Sequence, residues 1–231
     1  MRLAPAAILL ALLLLPMPAG AVMSGACRVP EIFLTFDSDL KHTERLVDRS
    51  APVRILLIGP QPDRQAFSDK KRTRLEVELN RRLPDITFTI LEEGAAPGLA
   101  RDDFGRIRSA VERLSPDLII WQVGAGDALA ATNPDDFAQT LEQAADWLKG
   151  RDIDLVLIDP PFVANVPHEY LYGRIVKQID AVSDKERMNV VQQYGATSYL
   201  SSAGDQTGTP RDGRACLPEL VAEAIVRAAT R

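Results

Sequence analysis

Chemistry at a carbonyl needs a nucleophile, a base to activate it and donors for the developing oxyanion. Candidates for the base are few, because the 231-residue chain has two histidines, His42 and His168. His42 stands between Lys41 and Thr43 and reads as a surface residue. His168 follows Pro167 and precedes Glu169, beyond an apolar run that ends at Asp159. A histidine at a helix start beside an acid more often serves structure than catalysis, yet this one could approach Asp159. Ser68 is the hydroxyl that could reach the same edge. Ser68, His168 and Asp159 are therefore the alternative set for acyl transfer through displaced residues. Metal chemistry is poorly supplied: two distant histidines and two cysteines expected to pair do not make a zinc site. Asp63, Asp127 and Asp159 could meet at neighbouring strand ends, but no ligand spacing supports Mg²⁺ or Ca²⁺ there. The chain has no Gly-x-Gly-x-x-Gly or Walker loop, and Gly59-Pro60-Gln61-Pro62 is too rigid to cradle a phosphate. No metal or cofactor is expected. Trp121 and Trp147 read as core or half-buried residues. Tyr170 and Tyr172 beside His168 suggest a binding edge or ordinary packing.

The elements that must position these groups follow from the apolar pattern. Val53 to Ile58, Leu118 to Val123 and Ile153 to Ile158 are predominantly apolar runs, and Ile86 to Leu91 alternates β-branched and aromatic residues. Ala196 to Leu200 predicts a fifth strand. Amphipathic helices are predicted over Arg64 to Arg82, Asp102 to Leu114, Asn133 to Lys149, His168 to Val182, Asp184 to Tyr194 and Leu217 to Ala229. Asn133-Pro134-Asp135-Asp136 is a helix start, and Gly150 suits the position after that helix ends. Ser201 to Gly213 reads as a loop. Before Ser50 the chain reads as an arm packed along the domain, with a short helix near Lys41 to Val47. Buried strands alternating with helices imply a three-layer α/β/α domain around a five-stranded parallel sheet of the flavodoxin-like type. Functional groups in such sheets gather at the carboxyl ends of the strands. Here those ends are Gly59-Pro60, Gly94 to Gly98, Gly124 to Asp127 and Asp159-Pro160.

The first residues read differently. Arg2, the apolar run Ala6 to Leu15, Pro16, Pro18 and Ala19-Gly20-Ala21 have the layout of a secretory signal peptide over residues 1–21. That run is too short to span a bilayer, which takes about 20 residues. The expected product is a single domain over residues 22–231, periplasmic or extracellular, with no span left after signal removal. In an oxidising compartment the two cysteines, Cys27 and Cys216, have one intrachain pairing open to them. Net charge is −5 with Lys and Arg mixed among acids, which argues against nucleic acid as a partner. Lys70-Lys71-Arg72 with Arg74 reads as the solvated face of a helix.

The strand ends resemble the blocks of the SGNH/GDSL hydrolases. The likeness runs from about Val53 to the C-terminus and is strongest at Pro116-Asp117-Leu118-Ile119-Ile120-Trp121-Gln122-Val123-Gly124, with Val156-Leu157-Ile158-Asp159-Pro160 as a second match. The resemblance implies a serine after the first strand, a Gly-x-Asn-Asp block after the third, and a C-terminal Asp-x-x-His. Carried over, the nucleophile position holds Pro60, which has neither hydroxyl nor backbone N–H. Gly94 or Gly98 takes the place of the glycine donor, or is an ordinary turn glycine. Gly124-Ala125-Gly126-Asp127 puts Gly126 where the asparagine would be; Asp127 is kept and is expected to cap the following helix. Asp212-Gly213-Arg214-Ala215 puts Ala215 in place of the base, and no histidine follows His168. The resemblance thus implies a vestigial pocket in a protein that binds a small-molecule, acyl or carbohydrate ligand, with an esterase working through displaced residues as the alternative. The sequence names no protein partner.

Overall fold

The computed structural model describes residues 23–59, 73–93, 98–166, 169–207, 213 and 215–230. The predicted signal peptide lies outside the described residues. Among those described, no helix is long and apolar enough to cross a membrane.

The five strands are β1 (Val53–Ile58), β2 (Phe88–Glu93), β3 (Leu118–Gln122), β4 (Asp154–Ile158) and β5 (Asn189–Val191). All pair in parallel, in the order β2-β1-β3-β4-β5. Ile55 stands opposite Leu118, Leu118 opposite Asp154, and Val156 opposite Asn189. The helices are α1 (Lys41–Asp48), α2 (Arg74–Arg82), α3 (Ala100–Leu114), α4 (Ala125–Leu129), α5 (Pro134–Lys149), α6 (Glu169–Glu186), α7 (Gln193–Thr207) and α8 (Leu217–Ala229).

Strand side chains alternate between two apolar layers. Val53, Ile55, Leu118, Ile120, Val156 and Val191 face a core that takes Leu75 and Leu79 of α2 and Leu220, Ala224 and Ile225 of α8. Leu56, Ile119, Trp121 and Leu157 face the other, built with Ile107 of α3, Phe137 and Leu141 of α5, and Ile175 and Ile179 of α6. Both faces are covered, which is why four consecutive apolar residues fill each of β1, β3 and β4, with Arg54, Gln122 and Asp154 at or near the strand ends.

The arm before α1 is part of the first layer: Val29, Leu34, Phe36 and Leu40 are buried in it. Cys27 and Cys216 form a disulfide across 189 residues of chain, joining this arm to the start of α8. Ser38 N–H donates to Asn189 Oδ1 at 2.9 Å, which pins the arm to β5.

Several sequence expectations need correction. The fifth strand is Asn189–Val191, and Ala196 to Leu200 belongs to α7, which continues through Thr207 where a loop was expected. Ala196 and Leu200 are buried while Tyr199 is 45% exposed, so the apolar residues there follow a helical face. The helix expected over Asp184 to Tyr194 is divided: α6 runs on to Glu186, Arg187 takes φ +54°, and the chain turns into β5. Gly150 ends α5 at φ −65°, and the positive φ falls on Asp152. Of the helix expected over Arg64 to Arg82, Thr73–Arg82 lies among the described residues, with Thr73 as the N-cap of α2. Arg74 is no solvated charge: it donates to the carbonyl of Ala215 at 2.7 Å and faces Glu219 at 3.6 Å.

Candidate functional site at the carboxyl ends of the strands

An order of 2-1-3-4-5 leaves a crevice between the carboxyl ends of β1 and β3, where the connections diverge to opposite faces of the sheet. Both strands leave through glycines that have no substitute. Gly59 has φ +123°, and a Cβ there would lie 2.8 Å from the carbonyl oxygen of Gln122. Gly124 has φ +95°, and a Cβ would lie 2.9 Å from Cγ2 of Ile175 and 3.3 Å from Pro160. Only glycine meets both the conformation and the contact.

Beyond Gly124 the chain enters the single turn of α4. Gly126 sits inside it and its carbonyl accepts from Ala130 N at 2.9 Å. Asp127 is buried, and its Oδ2 accepts from the backbone N–H of Ala100 at 2.9 Å. It therefore caps α3, not the helix that follows it, because Leu99 at the N-cap of α3 offers no side-chain oxygen. Burial raises the Asp127 carboxyl above its ordinary value. Gly98 packs on the same helix start, where a Cβ would lie 2.4 Å from Asp103 Oδ1. The indole N–H of Trp121 reaches Asp103 Oδ2 at 3.4 Å.

Beyond β4, Asp159 is 2% exposed and accepts from Tyr194 N at 2.9 Å. Burial pushes its carboxyl up to about 8. It fastens the N-terminus of α7. Three residues on, the backbone N–H of Phe162 donates to Thr197 Oγ1 at 2.8 Å, and that hydroxyl donates to Gln193 O at 2.7 Å. Tyr172 OH donates to Pro161 O at 2.5 Å, with the Tyr194 ring between the rings of Tyr172 and Phe162. Across the end of the sheet, Gln122 Nε2 donates to Gln193 Oε1 at 3.2 Å. Gly213 presses on Thr197, its Cα so close that a Cβ would lie 2.9 Å from Cγ2. Gly213 therefore lies against this wall.

These amides, hydroxyls and the buried acid stand together at the carboxyl ends of the strands, the position where this fold puts its chemistry. The model of the non-GDSL lipase-like family matches residues 26–231. The chain belongs to the non-GDSL lipase-like family. A search of curated proteins found no match. Among solved structures, the acetylxylan esterase Axe2 from Geobacillus stearothermophilus is similar at 14% identity and a TM-score of 0.56, over 78% of this chain and 94% of that one. TesA is similar at 16% identity and a TM-score of 0.54, over 77% and 98%. The psychrotrophic esterase EstA from Pseudoalteromonas sp., solved with monoethylphosphonate as inhibitor, is similar at 12% and 0.54, over 75% and 97%. At such identities the likeness shows the fold, which is that of the SGNH/GDSL-type esterases.

In this lipase-like chain the sequence-derived site residues divide into two groups. Gly59, Gly98, Gly124, Gly126, Asp127 and Asp159 stand at the carboxyl ends of the strands or the helix starts beside them. Pro60, Asp63, Ser68, Gly94, His168 and Asp212 lie outside the described residues. Ala215 is described, and its backbone serves Arg74. His42 sits at the opposite, amino end of the sheet with its ring nitrogens 3.1 Å from Asp117 and from Asp152. It is a clamped residue, not a free surface one: burial alone would lower its pKa, but the two carboxylates outweigh burial and raise it above 6.5. Among the described residues no three metal-ligating side chains gather. Sequence reasoning missed the Gln122–Gln193 pair. The signal was a glutamine ending the otherwise apolar Leu118-Ile119-Ile120-Trp121-Gln122.

Proposed function

We propose that this non-GDSL lipase-like protein is exported and uses the β1/β3 crevice to bind, without hydrolysing, an acyl-bearing or acetylated carbohydrate ligand. The observation that carries the reading is the exit from β1. Gly59 closes β1 against Gln122 at the sheet end, and by the family resemblance the residue that follows Gly59 in the sequence is where the serine nucleophile is expected; here it is Pro60. A proline has no hydroxyl to activate and no N–H to bind an oxyanion. No histidine follows His168, and Gly126 stands where an asparagine donor would be. Loss of one such donor alone costs about 100-fold or more in rate. The acetylated carbohydrate is supported by the likeness to an acetylxylan esterase. Export is supported by the N-terminal apolar run before Ala19-Gly20-Ala21 and by the Cys27–Cys216 bridge, a bond that persists in oxidising compartments.

A fluorophosphonate probe and p-nitrophenyl acetate test it on purified protein. The expected result is no labelled serine and no hydrolysis above buffer. Labelling of one serine, with turnover abolished by Ser68→Ala, would instead establish an esterase built on Ser68, His168 and Asp159.

A further inference from the structure

Gln193 is 2% exposed, yet its side-chain amide makes one hydrogen bond among the described residues, the 3.2 Å contact with Gln122. A buried amide that is not fully paired normally costs stability. Among the described residues the fully buried side-chain atom without a partner is Arg82 Nη2, remote from this site on α2. The unused atoms of the glutamine pair therefore reach accessible space, although Gln193 as a residue is enclosed.

The position of that space follows from Gln122. Its Cβ lies 3.0 Å from where a Cβ of Gly59 would stand, at the exit of β1. The pair thus spans the sheet end from the β1/β3 switch point to the start of α7. Which atom of each amide is nitrogen does not affect the count. One bond between two amides uses one N–H and one carbonyl lone pair, and leaves the pair with both an N–H donor and a carbonyl acceptor. No charged atom takes part.

We infer that the Gln122–Gln193 pair is a recognition site for a secondary amide, such as the N-acetyl group of an amino sugar. An amide presents a carbonyl to the free N–H and an N–H to the free carbonyl. An acetate ester presents acceptors only, so the glutamine carbonyl would lose water and gain nothing. The inference rests on the reading of the crevice as a binding site and narrows its ligand from acetylated carbohydrates in general to N-acetylated ones. The buried Asp159 beside Gln193 suits a neutral ligand, because burial keeps its carboxyl protonated near neutral pH.

Calorimetric titration of the mature protein with N,N′-diacetylchitobiose and with O-acetylated xylobiose tests this. The amide ligand is expected to bind about tenfold or more tightly than the ester, the effect of one unmet hydrogen bond. Gln193→Glu, which replaces N–H donors with an acceptor at equal size, is expected to weaken the amide ligand by about tenfold and to leave the ester less affected. Gln122→Met is the second variant, and circular dichroism confirms that each is folded. Equal affinity for both ligands, or variants that bind as wild type does, would overturn the inference while leaving a carbohydrate-binding crevice intact. If neither ligand binds, the inference fails, and the fluorophosphonate result separately decides between binder and esterase.

Discussion

At Asp159 a carboxyl group shut away from water accepts from the backbone of Tyr194, and also from that of Gln193. In the unfolded chain it ionises near 3.8, whereas burial pushes it up to about 8 in the folded protein. Below the lower value both states are protonated and its protonation costs nothing. As pH rises from about 4 to about 8 the unfolded chain gives up this proton and the folded one keeps it, so stability falls across that window and levels off above it. Asp159→Asn retains a carbonyl acceptor for α7 but does not titrate. The variant is therefore expected to gain stability relative to wild type between pH 5 and pH 8, measured as the difference in urea unfolding free energy. Parallel pH profiles would show that Asp159 is not the neutral acid described. The subtraction matters, because burial also raises Asp103, Asp127 and Asp154. The sequence marks Asp159 as an acid at a strand end, and so as a catalytic candidate. Its structural partner was not legible, since Tyr194 lies 35 residues further on.

The same device recurs at the level of elements. Two helices begin at residues with no side-chain oxygen, Leu40 before α1 and Leu99 before α3. Their N-termini are met by aspartates from distant segments: Asp154 of β4 accepts from Thr43 N at 2.7 Å and from its hydroxyl at 2.8 Å, and Asp127 of α4 accepts from Ala100 N. Each carboxylate satisfies orphan N–H groups, complements the helix dipole and ties the helix to the sheet. Asp154→Ala is expected to cost about 2 kcal/mol in urea unfolding, the upper range for a lost cap. Hydrogen exchange should rise first at residues 41–48; protection unchanged there would show that α1 is held by its apolar contacts instead. Helices that cap themselves were legible from sequence, as at Asn133, whose Oδ1 accepts from Asp135 N. Strands β1, β3 and β4 were legible for a related reason, since each carries four consecutive apolar residues of its own. β5 was not, because three residues in which Asn189 is the first give no run, and Ala196 to Leu200 supplied a stronger false one. Caps supplied across 27 to 111 residues leave no local pattern at all.

For the molecule as a whole, the disulfide ties the N-terminal arm to the start of α8. Cys27 belongs to the arm whose apolar residues complete one core layer, and Cys216 precedes α8. Ser24 donates to Glu219 of α8 through its backbone N–H at 2.8 Å and its hydroxyl at 3.1 Å. The arm would thus stay docked without the bridge, so the bridge acts chiefly on the unfolded chain, where closing a loop of 189 residues is worth up to about 5 kcal/mol in the chain-entropy model. Replacing both cysteines by serine is expected to lower stability by about 2–5 kcal/mol, with a lower urea midpoint and a steeper denaturant slope from a more expanded unfolded state, and with unchanged circular dichroism of the native protein. An unchanged midpoint would refute this account. A second consequence is local. The segment that the bridge anchors includes Gly213, packed on Thr197, and Ala215, bonded to Arg74. Thr197 in turn accepts from Phe162 N and donates to Gln193 O. Because Ser24 and Arg74 hold these segments independently of the bridge, hydrogen exchange at Gln193 and Thr197 is expected to stay unchanged in the double variant while it remains folded; faster exchange there would show that the bridge also holds the native wall.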